Sequence, residues 1–186
     1  MCVARRVPLV QDLWEIGEAK MTTKIKRQVF YSFHFDNDVM RVQQIRNLGV
    51  IDGDEPVSPN EWEKLKKQDS GVKKWIDSNM SYKSCVVVLI GKETAKRPWV
   101  LYEIGKAWAD GRGLVGIYVH NLKHPTTGAC TAGSNPFDNV VVQSGSDKGK
   151  KLSSLVSCYN PKTSDAYNDI KANIGDWIEA AIASRK

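Results

Sequence analysis

A tryptophan and a glutamate stand four residues apart in the segment Trp99-Val-Leu-Tyr-Glu103. On a helix this spacing puts both side chains on one face. The indole ring can stack on a flat cationic ligand, and the carboxylate can stabilise positive charge that develops beside it. The same pair is also typical of a core tryptophan beside a solvated glutamate, so the spacing alone leaves a functional and a structural interpretation open.

Three further candidates, Ser32, Phe33 and His34, lie near the end of the first apolar segment of the chain. If this segment is a strand of a parallel sheet, they lie at its carboxyl end, where α/β proteins bind ligands. Glu103 follows another predicted strand and would then lie on the same rim. The alternative is structural, with Phe33 in the core and His34 capping a helix or making a local hydrogen bond.

Two other motifs carry less weight. The segment Gly111-Arg-Gly113-Leu-Val-Gly116 has the letters of a dinucleotide fingerprint. Its glycines close a helix and enter a strand, whereas those of the fingerprint follow a strand and open a helix, so we interpret it as a helix stop and turn. His120, His124 and Cys130 lie in a loop without a fourth ligand at a familiar spacing, so we expect no zinc site.

The composition is that of an ordinary soluble globular chain. Its 186 residues include 27 Lys and Arg against 21 Asp and Glu, a net charge of +6, and 41% are hydrophobic, which excludes disordered and fibrous classes. The longest apolar run, Cys85–Ile90, is far shorter than the roughly 20 residues of a membrane helix. The basic residues are spread along the chain, which argues against nucleic-acid binding. The cysteines form no Cys-x-x-Cys pair, so we expect a reduced, cytoplasmic protein.

Strand-like and helix-like segments alternate along the chain, which predicts an α/β fold with a parallel sheet. The central strand is Ser84–Ile90, a continuous apolar run of the kind buried on both faces of such a sheet. Other strands are predicted at 28–33, 114–120 and near 155–159, and residues 121–151 are expected to be irregular. Helices are predicted after an N-cap at Asp36, near 62–65 and 72–76, and over 98–110 and 167–181.

We expect the chain to divide into an N-terminal extension, residues 1–25, that is a short helix or disordered, and a single domain, residues 26–186. In the extension, Leu9, Val10, Leu13 and Trp14 follow the spacing of a short amphipathic helix. Acidic residues interrupt the apolar stretch that a signal peptide would need.

Several segments, taken in order, resemble the TIR-like family, and specifically the ThsB-type TIR proteins of bacterial Thoeris antiphage defence. The likeness covers about residues 26–140. Each motif is weak, but the ordered set is fairly specific. The segments are Val29-Phe-Tyr-Ser-Phe-His34, Arg46-Asn47, Trp62-Glu63, Lys66-Lys67, Val87-Val-Leu-Ile-Gly91, Arg97-Pro-Trp-Val-Leu-Tyr-Glu-Ile104, Gly116-Ile117 and Asn135-Pro-Phe-Asp138.

The resemblance implies a flavodoxin-like TIR fold, with a five-stranded parallel sheet and helices on both faces. It also implies an enzyme that cleaves the nicotinamide–ribose bond of NAD, which is its substrate, and that needs neither a metal nor another cofactor. TIR enzymes often cyclise the ADP-ribose to a signalling nucleotide. Whether water, an adenine nitrogen or a ribose hydroxyl attacks is left open.

The family's Trp-x-x-x-Glu pattern falls on Trp99 and Glu103. The resemblance therefore implies that Glu103 is the catalytic residue and that Trp99 helps to wall the pocket. The residues implied to bind the substrate by their position are Ser32, Phe33 and His34, at the nicotinamide ribose or the diphosphate, and Arg97, at a phosphate.

Partners follow from the same resemblance. TIR subunits often self-associate so that a neighbour's loop completes the site, and here that loop would be residues 53–60. A phage trigger and a downstream effector that senses the nucleotide are also expected, with no membrane partner. The alternative function is a non-catalytic TIR-like scaffold or a nucleotide-sensing signalling module, in which Glu103 is a surface charge.

Overall fold

The computed structural model describes residues 27–53 and 69–185. The predicted extension over residues 1–25, the helical pattern near residues 62–65 and most of the loop at residues 53–60 therefore lie outside the described residues. Within the described ranges, no helix is long and apolar enough to cross a membrane.

Over residues 27–53 and 69–185 the sheet has five parallel strands in the order β2-β1-β3-β4-β5. All six residues of β3 are buried, because this strand lies between β1 and β4 and helices cover both of its faces. The outer strands β2 and β5 are only two residues long. The bounds are β1 Gln28–Ser32, β2 Asp52–Gly53, β3 Cys85–Ile90, β4 Gly113–Tyr118 and β5 Cys158–Tyr159.

Among the described residues, four helices pack on the two faces of the sheet. They are α1 Phe35–Arg46, α2 Asp69–Met80, α3 Pro98–Ala109 and α4 Ala166–Ala183. The apolar residues of α1 and α4 form one core with one face of the sheet, and those of α2 and α3 form a second core with the other face. The predicted fold class, a parallel α/β sheet with helices on both sides, is confirmed.

The strand β1 alternates cleanly between these two cores. Val29 and Tyr31 pack in the core of α1 and α4, whereas Phe30 packs in the core of α2 and α3. Because successive side chains of a strand point to opposite faces, Ser32 turns toward α3. Its partner in the register of the central strand is Val88.

The start of α1 differs from the prediction. The N-cap is His34, whose backbone is extended (φ −82°, ψ 107°), and not Asp36. The carbonyl of His34 accepts the amide of Asp38 over 3.0 Å, which already closes the first helical turn. Asp36 therefore lies inside the first turn, where a negative charge favours the positive end of the helix dipole.

The segment Gly111–Gly113 ends α3 and enters β4, as predicted. Gly111 has a φ of +71°, a conformation that glycine adopts without strain. The segment therefore acts as a helix stop and turn.

Candidate active site

A buried hydrogen bond joins β1 to α3 at the carboxyl edge of the sheet. The hydroxyl of Ser32 donates to Oε2 of Glu103 over 2.5 Å. Ser32 is 1% exposed and Glu103 is 7% exposed. The structure thus brings these two predicted site residues into direct contact.

Glu103 occupies a core-facing position of its helix. The buried residues of α3 are Val100, Glu103, Ile104 and Ala107, which follow the i, i+3, i+4, i+7 spacing of an apolar stripe. A carboxyl group on that stripe costs folding free energy unless it is paired. Glu103 is therefore not a surface charge.

Burial raises the pKa of the Glu103 carboxyl to about 8, and the hydrogen bond from Ser32 partly opposes this change. In the described part of the chain no cationic side chain contributes to lowering the pKa. The site therefore holds a carboxyl group whose ionised form lacks a positive partner, and a cationic ligand would supply one.

His34 lies two residues beyond Ser32 and is 6% exposed. Neither of its ring nitrogens has a hydrogen-bond partner among the described residues. Nε2 lies 3.5 Å from Oδ2 of Asp36, a contact that makes no hydrogen bond and becomes an ion pair only when the imidazole is protonated. Burial and then the charge of Arg97 lower the pKa of His34, against the opposing effects of nearby carboxylates. At neutral pH the imidazole is therefore uncharged.

Arg97 is the N-cap residue of α3. Its Nη2 donates to Oε2 of Glu93 over 3.1 Å, and its Nε is buried without a partner among the described residues. Glu93 also accepts a hydrogen bond of 3.2 Å from Nδ2 of Asn37. The positive charge of Arg97 is therefore shared with Glu93, and one of its donors remains unused.

The two aromatic candidates lie in different places. The ring of Trp99 packs edge-on against Tyr102, with centroids 6.0 Å apart, at the border of the core of α2 and α3. Phe33 packs against the opposite core, with its ring centroid 6.2 Å from that of Phe35. Phe33 is therefore not brought to the face where Ser32 and Glu103 meet.

A second buried carboxyl group, at Asp38, was missed by sequence reasoning. Asp38 is 1% exposed. Its Oδ1 accepts a hydrogen bond of 3.2 Å from Nη1 of Arg41, whereas its Oδ2 has no partner among the described residues. This Oδ2 lies against Gly91, where a Cβ would come within 2.0 Å of it. Burial raises the pKa of Asp38 although Arg41 opposes this.

Arg41 ties α1 to the loop that follows β4. Its Nε donates to the carbonyl of Leu122 and its Nη2 to that of Gly128, each over 3.0 Å. The signal that could have revealed Asp38 and Arg41 is their position on the buried stripe of α1, which also contains Val42 and Ile45.

The remaining motif residues have structural roles. The ring of His124 accepts the backbone amides of Thr126 and Thr127 through Nδ1, and the side chain of Asn135 accepts the amide of Phe137. Among residues 27–53 and 69–185 there is no group of three or more His, Cys, Asp and Glu side chains that could hold a metal ion.

Comparisons with known proteins find similarity over the part of the chain that contains the candidate site. A family model described as "Thoeris protein ThsB, TIR-like domain" matches residues 30–124, which include Ser32, His34, Arg97 and Glu103. A protein of Bacillus cereus (strain MSX-D12), named "Putative cyclic ADP-D-ribose synthase ThsB1", is 34% identical over 132 residues. This match covers 68% of this chain and 68% of the relative.

Proposed function

Because the chain belongs to the Thoeris ThsB family of TIR-like proteins, we propose that it cleaves NAD between nicotinamide and ribose. We further propose that it releases the ADP-ribose part as a cyclic nucleotide that signals in antiphage defence. The relative that is 34% identical carries a name of this kind. The observation that carries the proposal is the buried carboxyl group of Glu103, hydrogen-bonded by Ser32.

The reaction develops positive charge at one place. When nicotinamide leaves, the ribose becomes an oxocarbenium-like cation, and a fixed carboxylate beside it lowers the barrier. Glu103 suits this role because it is buried and because no cationic side chain of the described residues compensates its charge. An interaction of this kind is strongest where water is excluded.

The pKa of Glu103 links binding to catalysis. In the free chain burial raises this pKa to about 8, so the group is mostly protonated at pH 7. The nicotinamide ring of NAD is itself positively charged, and its arrival beside Glu103 lowers the pKa toward the ionised form. The substrate therefore helps to produce the charge that its own cleavage requires.

The neighbours of Glu103 have distinct proposed roles. Ser32 fixes Oε2, which leaves Oε1 to accept a ribose hydroxyl. His34 lies beside the nicotinamide ribose, and Trp99 borders the pocket at the first turn of α3. Arg97 offers its unused donor to a phosphate oxygen, although Glu93 neutralises part of its charge. Phe33 supports the strand from the opposite core.

NAD is the substrate in this proposal, and the step needs no further cofactor or metal because the leaving group already carries a positive charge. The product would act on a downstream effector after a phage trigger, and self-association of the chain would complete the site. The alternative of a scaffold, in which Glu103 is a surface charge, is not favoured, since Glu103 is buried against Ser32.

The experiment is to incubate the full chain with NAD, alone and after coexpression with phage components, and to separate the products by chromatography with mass detection. We expect free nicotinamide and a product with the mass of ADP-ribose less one water. Nicotinamide together with ADP-ribose alone would leave cleavage intact and contradict cyclisation. No nicotinamide under either condition would overturn the proposed function.

A further inference from the structure

The imidazole of His34 is a buried polar group that the cleavage step does not use. Both of its nitrogens lack hydrogen-bond partners among the described residues, and buried polar groups of native proteins are nearly always paired with protein, bound water or a ligand. A ligand that binds there would gain a partner that the protein has left free.

His34 faces the same side of β1 as the Ser32–Glu103 contact. Tyr31 and Phe33 pack in the core of α1 and α4, so Ser32 and His34 turn toward α3 by the alternation of an extended chain. The backbone of His34 is itself extended. Two residues of extended chain advance by about 6.6 Å, a spacing that lets one sugar ring lie between the carboxyl group and the imidazole.

Four charged side chains surround His34. Their charges act on the pKa of the imidazole, and they are Asp36 and Asp38 of α1, Arg97 at the start of α3 and Glu93 in the preceding turn. The contact of 3.5 Å between Nε2 and Oδ2 of Asp36 favours the tautomer with its hydrogen on Nε2. Nδ1 is then an acceptor without a donor, as a general base requires.

We propose that His34 is the general base that takes the proton from the hydroxyl group attacking the ribose. This inference rests on the proposed function and deepens it. The bond between ribose C1 and the nicotinamide nitrogen breaks, and its electron pair leaves with nicotinamide, which departs neutral. The attacking oxygen, from water or from a hydroxyl of the same molecule, forms the new bond to C1, and its proton passes to Nδ1 of His34 and then to solvent.

Two separate groups are needed because the two tasks conflict. Glu103 must remain ionised beside the developing cation, so a proton accepted there would cancel the stabilisation. His34 is neutral before the reaction and becomes positive only as the attacking oxygen loses its proton. Catalysis thus divides between a carboxylate for charge and an imidazole for proton transfer.

The test uses a reaction that needs charge stabilisation but no base. Labelled free nicotinamide can add back to the ribose through its ring nitrogen, which carries no proton, and so exchange into NAD. In His34→Gln we expect formation of ADP-ribose and cyclic product to fall by roughly 10²-fold or more, while exchange falls far less. His124→Gln is the matched control, because this half-buried imidazole only accepts two amides of its own turn; both reactions should run near the wild-type rate.

The pH dependence gives an independent measurement. At pH values below the pKa of His34, which burial lowers from its ordinary 6.5, wild-type kcat/KM for product formation should fall with a dependence on two protons, one bound by Glu103 and one by His34. The residual activity of His34→Gln should depend on one proton throughout. A wild-type profile without the second proton would overturn the assignment.

If His34→Gln lost exchange and product formation equally, His34 would have a merely structural role. If it lost neither, His34 would have no role in the reaction. Each result overturns the assignment while wild-type nicotinamide release still supports the proposed function. Absence of nicotinamide release from the wild-type chain would instead overturn the proposed function itself, and this assignment with it.

Discussion

Ser32 donates its hydroxyl to Oε2 of Glu103 over 2.5 Å, and this bond connects the end of β1 to the core-facing side of α3. The bond opposes the effect of burial on the pKa of Glu103. It therefore sets both the orientation of the carboxyl group and the pH at which it ionises.

Ser32→Ala removes that hydrogen bond and leaves the carboxyl group in the same buried position. Because the bond lowers the pKa of Glu103 from what burial alone would give, the pKa should rise above about 8 in the variant. The acid limb of kcat/KM for nicotinamide release should move to higher pH. If the acid limb of the variant lay at the same pH as that of wild type, Ser32 would not act on the ionisation of Glu103.

Glu103→Gln should increase the stability of the folded chain and decrease its activity. Burial raises the folded-state pKa of Glu103 from 4.5 to about 8, so the folded chain retains a proton that the unfolded chain has lost. Wild-type stability should therefore fall as pH rises from 4.5 to about 8, by up to about 1.4 kcal/mol for each pH unit.

The side-chain amide in Glu103→Gln stays neutral, so this variant does not lose stability through ionisation of a buried carboxyl group as the pH rises. Urea unfolding should thus find Glu103→Gln increasingly more stable than wild type as the pH rises through the same window, and similar to it at the acid end. The control Glu179→Gln instead loses an exposed ion pair with Arg27, so it should not gain stability relative to wild type as the pH rises. A stability difference that does not depend on pH would contradict the raised pKa of Glu103.

The fold itself was largely readable from the sequence. The continuous apolar run of β3 and the i, i+3, i+4 spacing in α3 and α4 determine the layers, because a strand or helix with such a pattern is stable only when its apolar side is covered. The face to which Phe33 points could not be predicted, since it depends on which helix covers which side of the sheet.

Three charged residues near the candidate site share a sequence feature that a search for motifs of two spaced residues does not detect. Asp38 and Arg41 in α1, like Glu103 in α3, occupy positions of an otherwise apolar stripe. A charge at such a position conflicts with local hydrophobic patterning, and functional or strained sites are where such conflicts occur. Asp38 and Arg41 pair three residues apart on one helix, a contact that spacing could suggest. Ser32, which binds Glu103, and the carbonyls of Leu122 and Gly128, which bind Arg41, come from distant segments, so spacing could not show those contacts.

Gly91→Ala should disturb the same region through packing. A Cβ at residue 91 would come within 2.0 Å of Oδ2 of Asp38, and both groups are buried, so we expect a loss of roughly 1–3 kcal/mol in the free energy of unfolding. Gly105→Ala is the matched control, because open space surrounds that position in α3; it should add about 0.5–1 kcal/mol. Equal effects in urea unfolding would contradict the close packing of Asp38 on Gly91.

Arg41→Met should be among the most damaging changes outside the proposed catalytic groups. The substitution keeps the apolar stem but leaves Asp38 buried without its cation and frees the carbonyls of Leu122 and Gly128. Breaking a buried ion pair in this way costs about 3–5 kcal/mol. The double variant with Asp38→Asn should recover part of the loss in a double-mutant cycle, and strict additivity would show that the two residues are not coupled.

The most direct test of the central claim is the rate of nicotinamide release from NAD by Glu103→Gln, compared with wild type and with Glu179→Gln under identical conditions. The account predicts that Glu103→Gln loses roughly 10²–10³-fold or more in kcat, although it is at least as stable as wild type at pH 8, while Glu179→Gln keeps the wild-type rate. If Glu103→Gln released nicotinamide at the full wild-type rate, this result would contradict the assignment of Glu103 as the group that stabilises the ribosyl cation.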